Sequence, residues 1–327
     1  MTADHVFALM GAALTVYLLT GGADFGGGIW DLLAGRGDRA EARRRAIAEA
    51  IAPIWEVNHI WLIFVVVLLF TVFPVAFAAI SIALHIPLVI ALIGIVLRGS
   101  AFVFRSYGID TPTWKTGWGR VFAVSSLLTP WFLGAAFAAL ATGAIRWDGA
   151  TVTSGFLAGW TTPFAAAVGG MTVAFAALLA AVYLAVRHED ALGDDFRRRA
   201  IAAQITTGAL GTAALALAAR DAPAFQDALV HTARLWILAG TMLLGFATLA
   251  LLLTRRARLA RLGAAGQAVG VVLGWGLAMQ GHLVRPDLPI TAAGARVETL
   301  SVLAPALALG ALVLVPALWW LFRVFRR

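Results

Sequence analysis

Long apolar runs recur from one end of this 327-residue chain to the other. A backbone in hydrocarbon must satisfy its own hydrogen bonds, so only helices and closed barrels can cross a bilayer. The runs have helix length, since about 20 apolar residues span the hydrocarbon core. Nine can be placed, at approximately 5–33, 49–75, 79–104, 118–144, 161–186, 199–219, 231–254, 262–283 and 297–322. They predict an all-α polytopic membrane protein with nine transmembrane helices in a single integral membrane domain, 1–327. Composition agrees: 61% of residues are hydrophobic and only 13% charged, far from the balance of a soluble domain. The first run has no basic segment before it and is too long for a signal peptide, so it reads as a retained span.

Charge gives an expected orientation. Of the 25 basic residues, all but Arg146, Arg220, Arg234, Arg285 and Arg296 fall in segments 34–48, 98–120, 187–199, 255–261 and 323–327. Basic loops stay in the cytoplasm. The N-terminus is therefore expected outside and the C-terminus inside, and the net charge of +8 implies no nucleic-acid partner. Cysteine is absent, which excludes disulfides, thiolate nucleophiles, iron–sulfur clusters and thiolate-bound zinc. No loop is long enough to fold alone, so any reaction belongs to the helix bundle or to a partner subunit. A weak echo links Arg43-Arg44-Arg45-Ala46-Ile47-Ala48 with Arg197-Arg198-Arg199-Ala200-Ile201-Ala202, four spans later. It fits two four-helix bundles (1–150 and 151–295) followed by a ninth helix (296–327), and it fits chance similarity in an Ala- and Arg-rich chain equally well.

Ionisable groups inside spans are costly and mark ion, proton or ligand paths. Glu56 and His59 lie one turn apart in the second run, and Asp24 lies in the first. Counting 1.5 Å per residue from the nearest loop arginines puts Asp24 and Glu56 at similar depths, roughly 16–18 Å in. The three are proton-path candidates, with an interhelical structural hydrogen bond as the alternative. Asp31 and Arg105 read as interfacial charges. Arg98 can pair with Asp24 or Glu56, serve an interface, or snorkel to headgroups. The glycines in Gly21-Gly22-Ala23-Asp24-Phe25-Gly26-Gly27-Gly28 suit close helix packing, or local unwinding around a cavity. No histidine spacing suggests a metal site, and haem ligation would fall first to His59 or His85.

Taken in order, GADFGGGIWDLL, IAPIWEVNHIWLIF, LRGSAFVFRS, GFLAGWTTPF, FRRRA, WGLAMQGHLVRPDLPIT and the final TLSVLAPALALGALVLVPALWWLFRVF resemble subunit II of cytochrome bd-type quinol oxidases. The resemblance implies a heterodimer in a bacterial inner membrane that oxidises ubiquinol or menaquinol and reduces dioxygen to water. It places haems b and d in a haem-bearing subunit I and no haem in this chain, with a quinone or a lipid as the remaining cofactor candidates. Small accessory membrane subunits are further partner candidates. This chain would then carry no catalytic residue and would support assembly, haem-site stability, and proton and oxygen access. Glu56 matches an acidic proton-path position of the family, and Asp24 and Arg98 match an Asp and an Arg linked to haem-site stability. Trp55, Asn58, Trp61 and Gln280 join Arg98 as structural or interface candidates. One family acid is missing, since Gly21 stands where Asp-Gly-x-Asp would begin, and Glu56 and His59 replace the Asp and Gln of some members. A secondary transporter or channel with a mid-membrane acidic site is the rival class.

Overall fold

A computed structural model describes residues 1–51, 55–109, 111–230, 234–294 and 297–324, with the side chains of residues 51, 55–57, 297, 321, 322 and 324 left out. The described chain is almost wholly helical. In order, the helices are α1 (Ala3–Leu32), α2 (Asp38–Ile51), α3 (Trp55–Val72), α4 (Pro74–Ala83), α5 (His85–Tyr107), α6 (Pro112–Ala139), α7 (Pro163–Arg187) and α8 (Ala191–Asp221). There follow α9 (Pro223–Val230), α10 (Leu235–Leu253) and α11 (Ala257–Ala278), a small hairpin of β1 (His282–Val284) and β2 (Leu288–Pro289), then α12 (Ile290–Ala293) and α13 (Val297–Val324). Local chemistry starts the long helices. Thr2 and His5 form a capping box on α1, and Thr111 and Thr162 cap α6 and α7 with proline in the first turn of each.

Seven of these helices are long and apolar enough to cross a membrane, and an eighth crossing results if α3 and α4 count as one bent span. The chain is therefore a membrane-spanning all-α protein, with seven or eight crossings recognised among the described residues where the sequence predicts nine. The difference lies at α11, the expected eighth span, whose five glycines and Gln267 dilute its apolar character. Other boundaries shift as well. The polar helix α2 is separate from the span that begins at Trp55, and α4 turns away from α3 by 118°. Pro74 opens α4 at the break, because a proline ring cannot continue the preceding helix.

Helix α1 lies at the centre and touches α3, α6, α7 and α11, while α5 packs on α6, α7 on α8, and α10 on α11. The glycine run is continuous helix, and its residues meet neighbours at close range. Gly26 faces the backbone carbonyl of Ala176 on α7, and Gly28 faces the Ser126 side chain on α6, so neither position has room for a Cβ. Lipid tails are as apolar as leucine, so such small-residue contacts bring helices together by van der Waals packing. Trp30 fixes the same seam by donating its indole N–H to Ala177 O at 2.7 Å.

The two ends of the bundle differ. At the arginine-rich end, Asp195 receives Arg43 at 2.8 Å and Arg199 at 3.0 Å, so the two echoing Arg-rich segments converge on one carboxylate. At the opposite end, Arg146 pairs with Asp287 of the β1–β2 hairpin at 2.8 Å, and Gly294 approaches Ala3 at the start of α1. No residue in the most apolar stretch of α13 is buried.

Candidate functional site

Three helices bring their polar residues together midway along α1. Asn58 of α3 donates its amide to Asp24 Oδ2 at 2.9 Å, which places it level with that carboxylate. Arg98 of α5 donates to the backbone oxygen of Asp24 at 3.1 Å, and the same nitrogen lies 3.6 Å from Oδ2. Arg98 is 1% exposed and Asp24 5%, so this is a buried ion pair. The guanidinium also sits over the rings of Phe25 and Phe122, 5.1 and 5.2 Å from their centroids, where the ring faces attract a cation. Of the roles open to Arg98, pairing with Asp24 is the one the geometry adopts, and snorkelling to headgroups is not.

His59 follows Asn58 and packs on the rings of Tyr17 and Phe25, at centroid distances of 5.9 and 6.0 Å. Around this spot, Tyr17 Oη, His59 Nδ1 and Arg98 Nε are buried without a hydrogen-bond partner among the described residues. The cluster therefore combines a carboxylate held by one amide donor and one nearby cation with polar groups that retain unused hydrogen-bonding capacity. Glu56 lies in the first turn of the same helix, two residues before Asn58, but its side chain and that of Trp55 lie outside the described residues. Trp61 is half-buried and touches both apolar clusters of the core. Gln280 is not part of the group: it sits beyond α11 at the hairpin end, with φ of 52°, and accepts from Arg285 at 3.1 Å.

Two groups read from sequence as interfacial charges form a built pair. Asp31 is 5% exposed and takes Arg105 at 2.9 Å and Arg44 at 3.5 Å, toward the arginine-rich end. A second polar cluster escaped the sequence reading altogether. Gln204 on α8 and Gln267 on α11 exchange amide hydrogen bonds at 3.1 and 3.2 Å, and Gln267 also donates to Thr248 on α10 at 3.0 Å. The signal available was an amide within each of two apolar helices. That signal is weak, because neither residue is ionisable.

Among the described residues no group of three or more His, Cys, Asp or Glu converges. His59 is level with Asp24, whereas His85 opens α5, 13 residues before Arg98. That is about 20 Å along the helix, too far for the two histidines to share one haem. The glycine run does not unwind around a cavity. The bend after Val72 also lies about 20 Å from Asn58, so the broken helix does not meet the acidic cluster.

Over residues 2–325 the chain matches the family described as cytochrome bd terminal oxidase subunit II. It is similar to the cytochrome bd ubiquinol oxidase subunit 2 of Bacillus subtilis (strain 168), with 32% identity over 140 residues, covering 43% of this chain and 40% of that protein. Similarity to the cytochrome bd-I ubiquinol oxidase subunit 2 of Escherichia coli (strain K12) is 30% over 135 residues, covering 41% and 35%. The aligned segments thus span well under half the length of these relatives. In fold, the chain superposes on a chain of the bd oxidase from Geobacillus thermodenitrificans with a TM-score of 0.82 at 21% identity, covering 99% of this chain and 98% of that one.

Proposed function

This chain belongs to the cytochrome bd terminal oxidase subunit II family, and on that premise we propose that it is the non-haem subunit of a respiratory quinol:dioxygen oxidoreductase. In this reading haems b and d reside in a partner subunit I within a bacterial inner membrane, alongside any small accessory subunits. The partner complex oxidises ubiquinol or menaquinol and reduces dioxygen to water. The chain crosses the membrane nine times, with α3–α4 as the second span and α11 as the eighth, N-terminus outside and C-terminus in the cytoplasm.

The observation that carries the reading is the buried Arg98–Asp24–Asn58 group, which ties α1, α3 and α5 together at one depth. A carboxylate held by one amide donor and paired with a buried cation suits a structural role, holding the surface on which the haem-bearing partner rests. Proton delivery falls in this reading to Glu56 and His59. Dioxygen reduction consumes protons inside a low-dielectric bundle, where titratable side chains must bridge the distance to water.

The purified complex should show haem absorption and quinol-dependent oxygen uptake, and the chain freed of its partner should be colourless. Glu56→Gln should slow turnover per haem while leaving haem content unchanged, and Glu56→Asp should keep more activity. Wild-type turnover in a fully assembled Glu56→Gln complex would remove the relay role. Stoichiometric haem on the isolated chain would overturn the division of labour between subunits.

A further inference from the structure

At the arginine-rich end, the α7–α8 and α10–α11 turns line a half-open cavity of about 430 Å³. We propose that it binds a phosphate group, either the headgroup phosphate of an anionic lipid or free phosphate.

The lining charges do not cancel. Arg197, Arg255, Arg256 and Arg258 face Glu189, Asp190 and Asp194 around the cavity. Each carboxylate is already occupied. Asp190 caps α8 by accepting from the N–H groups of Leu192 and Gly193, Asp194 takes Arg197 and Arg255 at 3.2 Å each, and Glu189 takes Arg258 at 2.8 Å. Arg256 is left over, its guanidinium making no ion pair or hydrogen bond among the described residues.

Two further features belong to the same turn. Arg256 is also the N-cap of α11, and its side chain caps nothing, so the positive end of that helix opens on the cavity. Arg255 holds a left-handed backbone with φ of 60°, a conformation that costs free energy for a non-glycine residue and recurs at ligand-binding turns. Guanidinium forks beside a helix N-terminus suit a phosphate rather than a carbohydrate or a metal ion. Ala185, Val186 and Leu259 supply an apolar flank for whatever the phosphate carries. The volume falls within the roughly 300–1,000 Å³ of small-molecule sites. The level is that of the headgroups of the basic leaflet, where arginine pockets between spans hold anionic lipids.

The test uses the full chain purified from membranes in mild detergent, with two probes: phosphatidylglycerol in mixed micelles with phosphatidylcholine, followed by native mass spectrometry, and inorganic phosphate, followed by equilibrium binding. Arg256→Ala removes no contact within the chain and should weaken binding about fivefold, the worth of one interfacial arginine. Arg256→Lys should keep most of the affinity. Arg261→Ala, on the same helix but outside the lining, should change nothing. A lipid site shows as phosphatidylglycerol retention that depends on Arg256 and is not displaced by phosphate. A free-phosphate site shows as phosphate binding with the same dependence. Arg258→Gln supplies a second variant should Arg256→Ala alter the melting temperature. Binding of neither probe, or equal binding by the Arg256→Ala and Arg261→Ala proteins, overturns the proposal.

Discussion

Arg98 reaches from α5 to α1 and meets the same residue twice, donating to the backbone oxygen of Asp24 at 3.1 Å and standing 3.6 Å from its carboxylate. One cation thus anchors both the backbone and the side chain of the central helix. Removing one member of a buried pair leaves an uncompensated charge, at a cost of about 3–5 kcal/mol, whereas replacing both with apolar groups is often neutral. Arg98→Met and Asp24→Leu should each lower the melting temperature of the purified chain markedly, and the double variant should recover most of the loss. Single variants that melt like the wild type would show that the pair does not hold α1 to α5.

Gly26 supplies a second test. A Cβ there would overlap the Ala176 backbone, which cannot rotate aside as a long side chain could. Gly26→Ala should destabilise the chain by about 1–3 kcal/mol, the usual cost of overpacking. Gly11, whose Cβ position is open, should accept alanine with no loss. Thermal melts of the two variants side by side provide the comparison, and equal melting would refute the close α1–α7 approach.

The paired amides of Gln204 and Gln267 give a third. Gln267→Leu strands the amide of Gln204 within a buried cluster, while the Thr248 hydroxyl keeps its own bond to Leu244 O at 2.7 Å. An unsatisfied buried polar group costs about 1–3 kcal/mol, while removing both partners can be nearly neutral. A double-mutant cycle with Gln204→Leu should therefore yield a coupling of about 1 kcal/mol or more, and additive single effects would mean the two amides act separately.

Much of this architecture is legible in the residues, and what is not has physical causes. Asp24, Asn58, His59 and Arg98 stand out because polar groups are rare in apolar runs, and the structure gathers all four at one level. The depth count for Glu56 runs from Arg45 as if along one straight helix, whereas α2 and α3 are separate and the Glu56 side chain lies outside the described residues. Tyr17, Phe25 and Phe122 could not be picked out, since aromatics in a span look alike until packing shows which one meets a cation. Asp31 reads as an interfacial charge because its distance from the loop gives no hint that Arg44 and Arg105 close over it. The 118° turn into α4 is not legible, because hydropathy averages across Pro74.

A fourth prediction concerns orientation, drawn from the uneven spread of basic residues. Reporter fusions after Ala40, Thr111, Leu192 and Ala257 should register the cytoplasm, and those after Ala150 and Ala224 the outside. The inverse pattern would move the arginine-rich end, and the phosphate cavity with it, to the other face of the membrane.

The sequence distance between Asp24 and its partners also sets a timetable for biosynthesis. Asn58 is made 34 residues after Asp24 and Arg98 another 40 later, since Arg98 stands 74 residues downstream. At about 5–20 residues per second, the carboxyl of α1 waits roughly 4–15 s in or beside the translocation machinery before its cation exists. The neighbours that match its glycine face on α7 come later still. The helix at the centre of the finished protein is thus the one that must be inserted first and completed last, and errors of insertion should concentrate in that interval.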